Sequence, residues 1–452
     1  MFSTISNHTI LIVCILLLSG TELAGQTPEP MQVSLDKARQ HALEHNLELQ
    51  NARADARIAQ RRVWEITAQG LPQVSGSVGY QYFTDIPTNL IPAEFFGGQP
   101  GEFAEVQFGT EQNLSASLNI NQLIFDGSYI VGLQAARIFR ELSERIFTRS
   151  EIETRSMVTE TYYMCQATDQ NLEIMRQNLT NLEKTLFETR KMFEAGFTDA
   201  INVDQLRLTV ANLKNTIANM ERQRELSFNL LKFQMGLPLD TPIELTDKLE
   251  SLFASLSLET LAVEEFDPSR HIDFRILQSQ EQMQLMAMRR EWSFYLPTVS
   301  AFYTRQENAY RNEFNFFQSS QPWYPTSLVG VNINIPIFSS GMRSSRVQQA
   351  RLELEKARNN TLQVEQSLRL QQQEALSGIK TALEKYSNEQ ENLQLAERIF
   401  NRTRIMFREG LASSLELTQA SDQFISTQAN YINAMFELLN ASNKLDKAMG
   451  RL

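Results

Sequence analysis

Met192-Phe193-Glu194-Ala195-Gly196-Phe197 returns 214 residues later as Met406-Phe407-Arg408-Glu409-Gly410-Leu411, and the reading of this pair decides the fold. Met235-Gly236 returns as Met449-Gly450 at the same offset, and Asn119-Ile120-Asn121 returns as Asn332-Ile333-Asn334 at 213. One shared offset over so long a stretch marks two copies of one structural unit. Upstream, Leu71-Pro72-Gln73-Val74-Ser75 is echoed by Leu296-Pro297-Thr298-Val299-Ser300 at 225, so the first copy is about twelve residues longer in between. The extra length falls in a Pro/Gly-rich loop, where insertions are tolerated.

Proline placement leaves two regions free to be helical, between Pro100 and Pro238 and after Pro336. Within them the stretches 128–195 and 342–409 are 68 residues each, rich in Leu, Gln, Glu, Arg and Ala. A continuous helix of that length is roughly 100 Å long. Cys165, Leu172, Leu179, Leu186 and Phe193 recur every seven residues, and the 214 shift maps them onto Ile379, Tyr386, Leu393, Phe400 and Phe407. Such a seam winds helices into coiled coils. Heptads continue beyond each glycine, so each copy is expected to hold an antiparallel helical hairpin with its tip at Gly196 or Gly410.

Strand signals lie at the far end of each helical pair. Val74, Gly76, Val78, Tyr80 and Tyr82 alternate with small and polar residues, as do Leu114, Ala116, Leu118 and Ile120, and Val329, Val331, Ile333 and Ile335. Val299, Ala301 and Tyr303 begin a weaker fourth run. About ten alternating residues fit a tilted transmembrane β-strand, but a sandwich with one wet face gives the same pattern. Aromatic residues including Phe95, Phe96, Phe103, Phe314, Phe316 and Phe317 crowd the loops joining the paired strands, where packing is the favoured reading.

Ile10 to Leu18 is an unbroken apolar run followed by Leu23-Ala24-Gly25, which reads as a secretory signal peptide at 1–25 and places the mature start near Gln26. Loss of Glu22 takes the net charge from −11 to −10. An acidic chain with no Lys/Arg cluster argues against nucleic acid. Cys165 stands alone in the mature chain, so no intramolecular disulfide forms. The domain division expected is a first copy at 26–245, a connecting segment at 246–270 and a second copy at 271–452.

Together these features make the chain resemble the TolC-like outer membrane efflux family, over essentially the whole mature length. The residues that carry the resemblance are Ser34-Leu35-Asp36-Lys37-Ala38 with Ala42-Leu43-Glu44-His45-Asn46, then Leu71-Pro72-Gln73-Val74. Phe125-Asp126-Gly127 and Phe338-Ser339-Ser340-Gly341 follow, with the two hairpin tips and the final Ala448-Met449-Gly450. The resemblance implies an α+β membrane protein that assembles as a homotrimer. Each chain would give four strands to a shared 12-stranded barrel in outer membrane lipid and its long hairpins to a periplasmic α-barrel. It implies a passive exit duct of a tripartite efflux or type I secretion system, partnered by a periplasmic adaptor and an inner membrane pump. Assembly is also favoured physically, because four strands cannot close a barrel and an open edge in lipid leaves backbone groups unsatisfied. The alternatives are a periplasmic adaptor, which should hold one hairpin inside split β-domains, and a structural coiled-coil envelope protein.

Gly196 and Gly410 fit left-handed helix caps. The resemblance adds that the tips dock the adaptor, with Phe197 and Leu411 as contacts; both could instead pack back on the last turn. Glu416, six residues past the tip glycine, implies an acidic ring at the periplasmic entrance. Ser413-Ser414-Leu415-Glu416 equally reads as a capping box. Gln419 stands where the family pattern often has a second acid. In the first copy Asn202 matches Glu416, and Asp204 is the nearest acid. No zincin pattern surrounds His41 and His45, and no phosphate loop or nucleophile elbow occurs, so no metal, cofactor or catalysis is expected.

Overall fold

The computed structural model describes residues 29–254, 256 and 266–452. The expected signal peptide lies outside these residues, as do 255 and 257–265 of the connecting segment. In order the elements are β1 (Met31–Val33), α1 (Leu35–His45), α2 (Leu47–Gln69), β2 (Gln73–Tyr82), β3 (Thr88–Pro92), β4 (Phe103–Gln107), β5 (Gln112–Phe125), α3 (Gly127–Glu194) and α4 (Ala200–Met235). Then come β6 (Ile243–Leu245), α5 (Leu249–Ala254), α6 (Ile272–Ser293), β7 (Thr298–Arg311), β8 (Tyr324–Asn334), α7 (Met342–Arg408) and α8 (Ser414–Ala448).

The two long helices are continuous over 68 and 67 residues, within one residue of the spans the sequence predicts. Their ends have local causes. Asp126 Oδ1 accepts the N–H groups of Ser128 at 2.7 Å and Tyr129 at 3.3 Å, so the Phe-Asp-Gly step is a helix N-cap. At the other end Gly196 N–H reaches Phe193 O at 2.9 Å and Phe197 N–H reaches Met192 O at 2.8 Å, the two bonds of a Schellman cap. Gly410, Gly236 and Gly450 close α7, α4 and α8 the same way.

The compact units do not coincide with the two sequence copies. One unit takes the chain up to Leu47, Thr154–Val263 and Ser377–Lys444; the other takes Glu48–Glu153, Glu264–Leu376 and Leu445–Leu452. Each long helix therefore contributes to both. In the first unit a core of Val33, Ala38, Val158, Tyr162, Leu231, Met235, Met435 and Leu439 joins α1, α3, α4 and α8. Described residues of the connecting segment belong to this core: Leu249 is buried, and Asp247 Oδ2 accepts Leu35 N–H at 2.7 Å and the Tyr162 hydroxyl at 2.9 Å. Cys165 is fully buried there, and desolvation pushes its thiol up to about 12, so it stays protonated and inert at neutral pH.

The second unit holds a four-stranded antiparallel sheet in the order β2-β5-β7-β8. Opposed residues share a face, and the register sorts them by polarity. Val74, Ile120, Tyr303 and Val329 form one row on the apolar face; Ser77, Ser117, Gln306 and Thr326 form one on the polar face. The polar face is hydrogen bonded across strands, through Ser77 to Ser117 at 2.7 Å and Thr304 to Asn119 at 2.9 Å. The fourth strand is longer than its sequence pattern predicts, because β5 supplies a ladder along it from Val299 to Arg311. That extension brings Arg305 and Glu307 onto the apolar face, where they pair at 2.9 Å beside Gly76 and Ala116.

His271 links two elements of the second unit. Its Nδ1 accepts Asp273 N–H at 3.2 Å as the cap of α6, and its ring also bonds the Lys447 backbone. With Nδ1 accepting, the 3.7 Å approach to Asp273 Oδ2 is not an ion pair. Burial holds the imidazole below its ordinary value, against the opposing pull of the Asp273 carboxylate. The unfolded chain therefore binds a proton that the folded chain refuses as pH falls below about 6.5. Stability is expected to fall on acidification through that range. Asparagine at 271 keeps a cap and should flatten the dependence, read as thermal midpoint against pH.

Candidate functional site at the hairpin tips

The tips are built by the glycine caps. Gly196 has φ 80° and Gly410 φ 74°, and a Cβ at either would meet nothing within 4 Å, so conformation and not space demands glycine. The residues after them do not fold back on the helix: Phe197 is 80% exposed and Leu411 73%. Ile201 and Leu415 are exposed beside them.

Behind the caps the two hairpins pack on each other. Leu206 of α4 is fully buried against Phe400, Phe407, Leu417 and Ala420 of the second hairpin, contributing about 2 kcal/mol by burial. Phe400 stacks on Phe424 with centroids 5.3 Å apart.

Glu416 forms the capping box. Its carboxylate accepts Ser413 N–H at 2.7 Å and the Ser413 hydroxyl at 3.0 Å, while Ser413 Oγ accepts Glu416 N–H at 3.2 Å. These bonds from Ser413 hold the carboxyl below the usual carboxylate range, so it is ionised at neutral pH. Asn202 meets the second hairpin. Its Oδ1 lies 2.5 Å from the hydroxyl of Ser414, which is fully buried, and Gln205 Oε1 lies at the same distance. A hydroxyl has one proton, so one of the two amides faces Ser414 with its nitrogen and donates. Asp204 pairs with Arg207 at 3.4 Å on the solvent side, and Gln419 is exposed without joining this cluster.

Ser414 and Gln205 are the site residues that sequence reasoning missed. The Ser413-Ser414 doublet was the available signal: one serine caps the helix and leaves the next, one position on, aimed at the neighbouring hairpin. Among the described residues no group of three or more His, Cys, Asp or Glu could hold a metal ion. The arrangement offers an ionised carboxylate, an apolar rim and a polar tie between tips, with no nucleophile and base in contact.

Long paired hairpins capped by exposed apolar tips, joined to a sheet with one polar and one apolar face, are the parts of an envelope channel. A model of the outer membrane efflux protein family matches residues 38–237 and 294–451, and the chain belongs to that family. It is 21% identical over 453 residues to outer membrane efflux protein BepC of Brucella suis, covering 98% of this chain and 90% of BepC. It is 23% identical over 317 residues to the probable efflux pump outer membrane protein TtgC of Pseudomonas putida, covering 68% and 62%. The fold matches the Campylobacter jejuni CmeC outer membrane channel with a TM-score of 0.72 at 17% identity, over 92% of this chain and 85% of that one. The protein is thus an outer membrane exit channel and not an enzyme.

Proposed function

We propose that three copies of this chain form the duct, each giving β2, β5, β7 and β8 to a twelve-stranded barrel. The observation that carries this reading is the four-stranded sheet, whose edges β2 and β8 are unpaired among the described residues. In lipid those edges must be covered, and strand addition by neighbouring copies does so without unsatisfied backbone groups. The face of Val74, Ile120, Tyr303 and Val329 then meets lipid, and the face of Ser77, Ser117, Gln306 and Thr326 lines the lumen. Planar-bilayer recordings of the purified oligomer should show discrete conductance steps; a water-soluble oligomer without conductance would overturn the proposal.

Glu416 would ring the entrance once per chain while remaining a helix cap, since the capping bonds use only Oε2 in the contacts above. Glu416→Gln keeps the capping-box geometry available and removes three charges from the trimer. Cation preference in the same recordings should fall several-fold. Unchanged selectivity would leave Glu416 a cap alone.

Phe197 and Leu411 are the proposed contacts for a periplasmic adaptor, through which an inner membrane pump delivers its cargo. Their exposure supports this, since apolar side chains on a solvated turn otherwise have no favourable environment. Phe197→Ser with Leu411→Ser should abolish adaptor co-purification while leaving conductance intact. Retention of the adaptor would exclude these residues.

A further inference from the structure

A second short repeat is hidden by the 214 offset. Arg61-Arg62-Val63-Trp64 of α2 returns as Arg289-Arg290-Glu291-Trp292 of α6, 228 residues on, and the pair contains two of the chain's three tryptophans. Each segment lies near the end of the helix that runs into the first strand of its pair: α2 stops at Gln69 before β2, and α6 stops at Ser293 before β7. Trp64 is therefore within the last two turns of α2 and Trp292 within the last turn of α6.

Both indoles project into the surroundings, with Trp64 63% and Trp292 57% exposed. The four arginines are exposed as well, and none forms an ion pair with a carboxylate among the described residues. Helix-dipole compensation does not account for Arg61 and Arg62, which stand well before the last turn of α2; Arg290 lies in the last turn of α6, with its guanidinium 5.6 Å from the Phe294 ring centre. Tyr295 lies 5.7 Å from Trp292 and carries the Arg343 guanidinium 5.2 Å above its ring. At the 225 offset of Leu71-Pro72 and Leu296-Pro297, Gly70 stands where the second copy has Tyr295, and Tyr129 of α3 fills the space beside it, donating its hydroxyl to Thr67 O at 3.1 Å.

Charge follows the same geography. In the twenty residues nearest the strands on α2, α3, α6 and α7 there are fifteen Lys and Arg against eight Asp and Glu, in a chain whose net charge is −11. Leu71, Leu296 and Phe338, in the short segments between these helices and the strands, are exposed apolar residues at this level.

We propose that the two Arg-Arg-x-Trp segments form a collar that binds anionic phospholipid headgroups of the leaflet facing the periplasm. The guanidiniums take the phosphates, for which their planar donor forks are suited, and the indoles lie at the boundary between headgroup and acyl chain. The inference rests on the barrel reading above. Phosphate, not carboxylate or nucleic acid, is the partner because the basic patch abuts the apolar band, and a membrane lipid alone presents both surfaces together.

The test uses the full-length oligomer in nanodiscs, in a Trp323→Phe background so that only Trp64 and Trp292 fluoresce. Brominated phosphatidylcholine should quench both indoles, reporting their place at the bilayer edge. Brominated phosphatidylglycerol at the same mole fraction should quench more strongly, by local enrichment on the order of fivefold, and the excess should vanish at high salt. Replacing Arg61, Arg62, Arg289 and Arg290 together by glutamine should remove the excess and leave phosphatidylcholine quenching unchanged; replacing them by lysine should retain most of it. Soluble glycerophosphate should not displace the lipid. Equal quenching by both lipids in the native protein, or an excess that survives the glutamine variant, overturns the proposal. Absence of quenching by either lipid also overturns it, and conductance in the same preparation then tells whether the barrel reading stands without it.

Discussion

Gly236→Ala is expected to destabilise the protein by about 4 kcal/mol, against about 1 kcal/mol for the same change at Gly410. Both glycines have positive φ, 74° in each case, so both substitutions carry the strain of a left-handed alanine. The difference lies in what surrounds them. A Cβ at Gly410 enters open space, whereas at Gly236 it would stand 2.3 Å from the His45 carbonyl oxygen and 2.7 Å from its carbon. Those atoms are backbone and cannot rotate away. They are also fixed from the other side, because Asn46 Nδ2 donates to Gln234 O at 2.8 Å and the His41 ring meets Met235 O at 3.0 Å. Relief requires α1 to separate from α4 and opens the core of Ala38, Ala42, Leu231 and Met235. Thermal midpoints of the two variants in detergent check the ranking, and equal shifts would show that the caps matter only through φ.

The second large effect concerns Arg305 and Glu307. Glu307→Leu should reduce the assembled, folded fraction by tens of fold, because it leaves a lone guanidinium midway up a face proposed to meet lipid. Arg305→Leu combined with Glu307→Leu should restore assembly to wild-type level or better, since removing both charges also removes the desolvation they require. The measured quantity is the yield of heat-stable oligomer extracted from membranes. If the double variant is as defective as the single one, the pair serves a specific contact and the face is not simply lipid-exposed.

Much of this was legible in local sequence. Gly196 and Gly410 announced left-handed caps, and both long helices end there. The heptad row holds for most of its length: Cys165, Leu172, Ile379, Phe400 and Phe407 are buried and Leu179, Leu186, Tyr386 and Leu393 half-buried, while Phe193 in the last turn of α3 is exposed. Among the loop aromatics, the packing expected for them is realised at Phe316, buried edge-on against Tyr80, whereas Phe95, Phe96, Phe103 and Phe317 remain exposed. β7 was only half legible, since Arg305-Gln306-Glu307 breaks the apolar alternation. Its hydrogen-bonding partners lie nearly two hundred residues away in the chain, and their ladder fixes the strand regardless of its own pattern.

What the sequence determined by itself are the properties that depend on near neighbours: helix starts and stops, the seven-residue seam, the two-residue alternation and the capping box at Glu416. Each is set by interactions within a few residues, so each survives being read one segment at a time. Only the tertiary structure decided that Asn202 meets the buried Ser414, that Gly236 carries a demand Gly410 does not, and that an ion pair sits on the apolar face. These depend on which distant backbone passes within a few ångströms, and sequence spacing does not encode that distance.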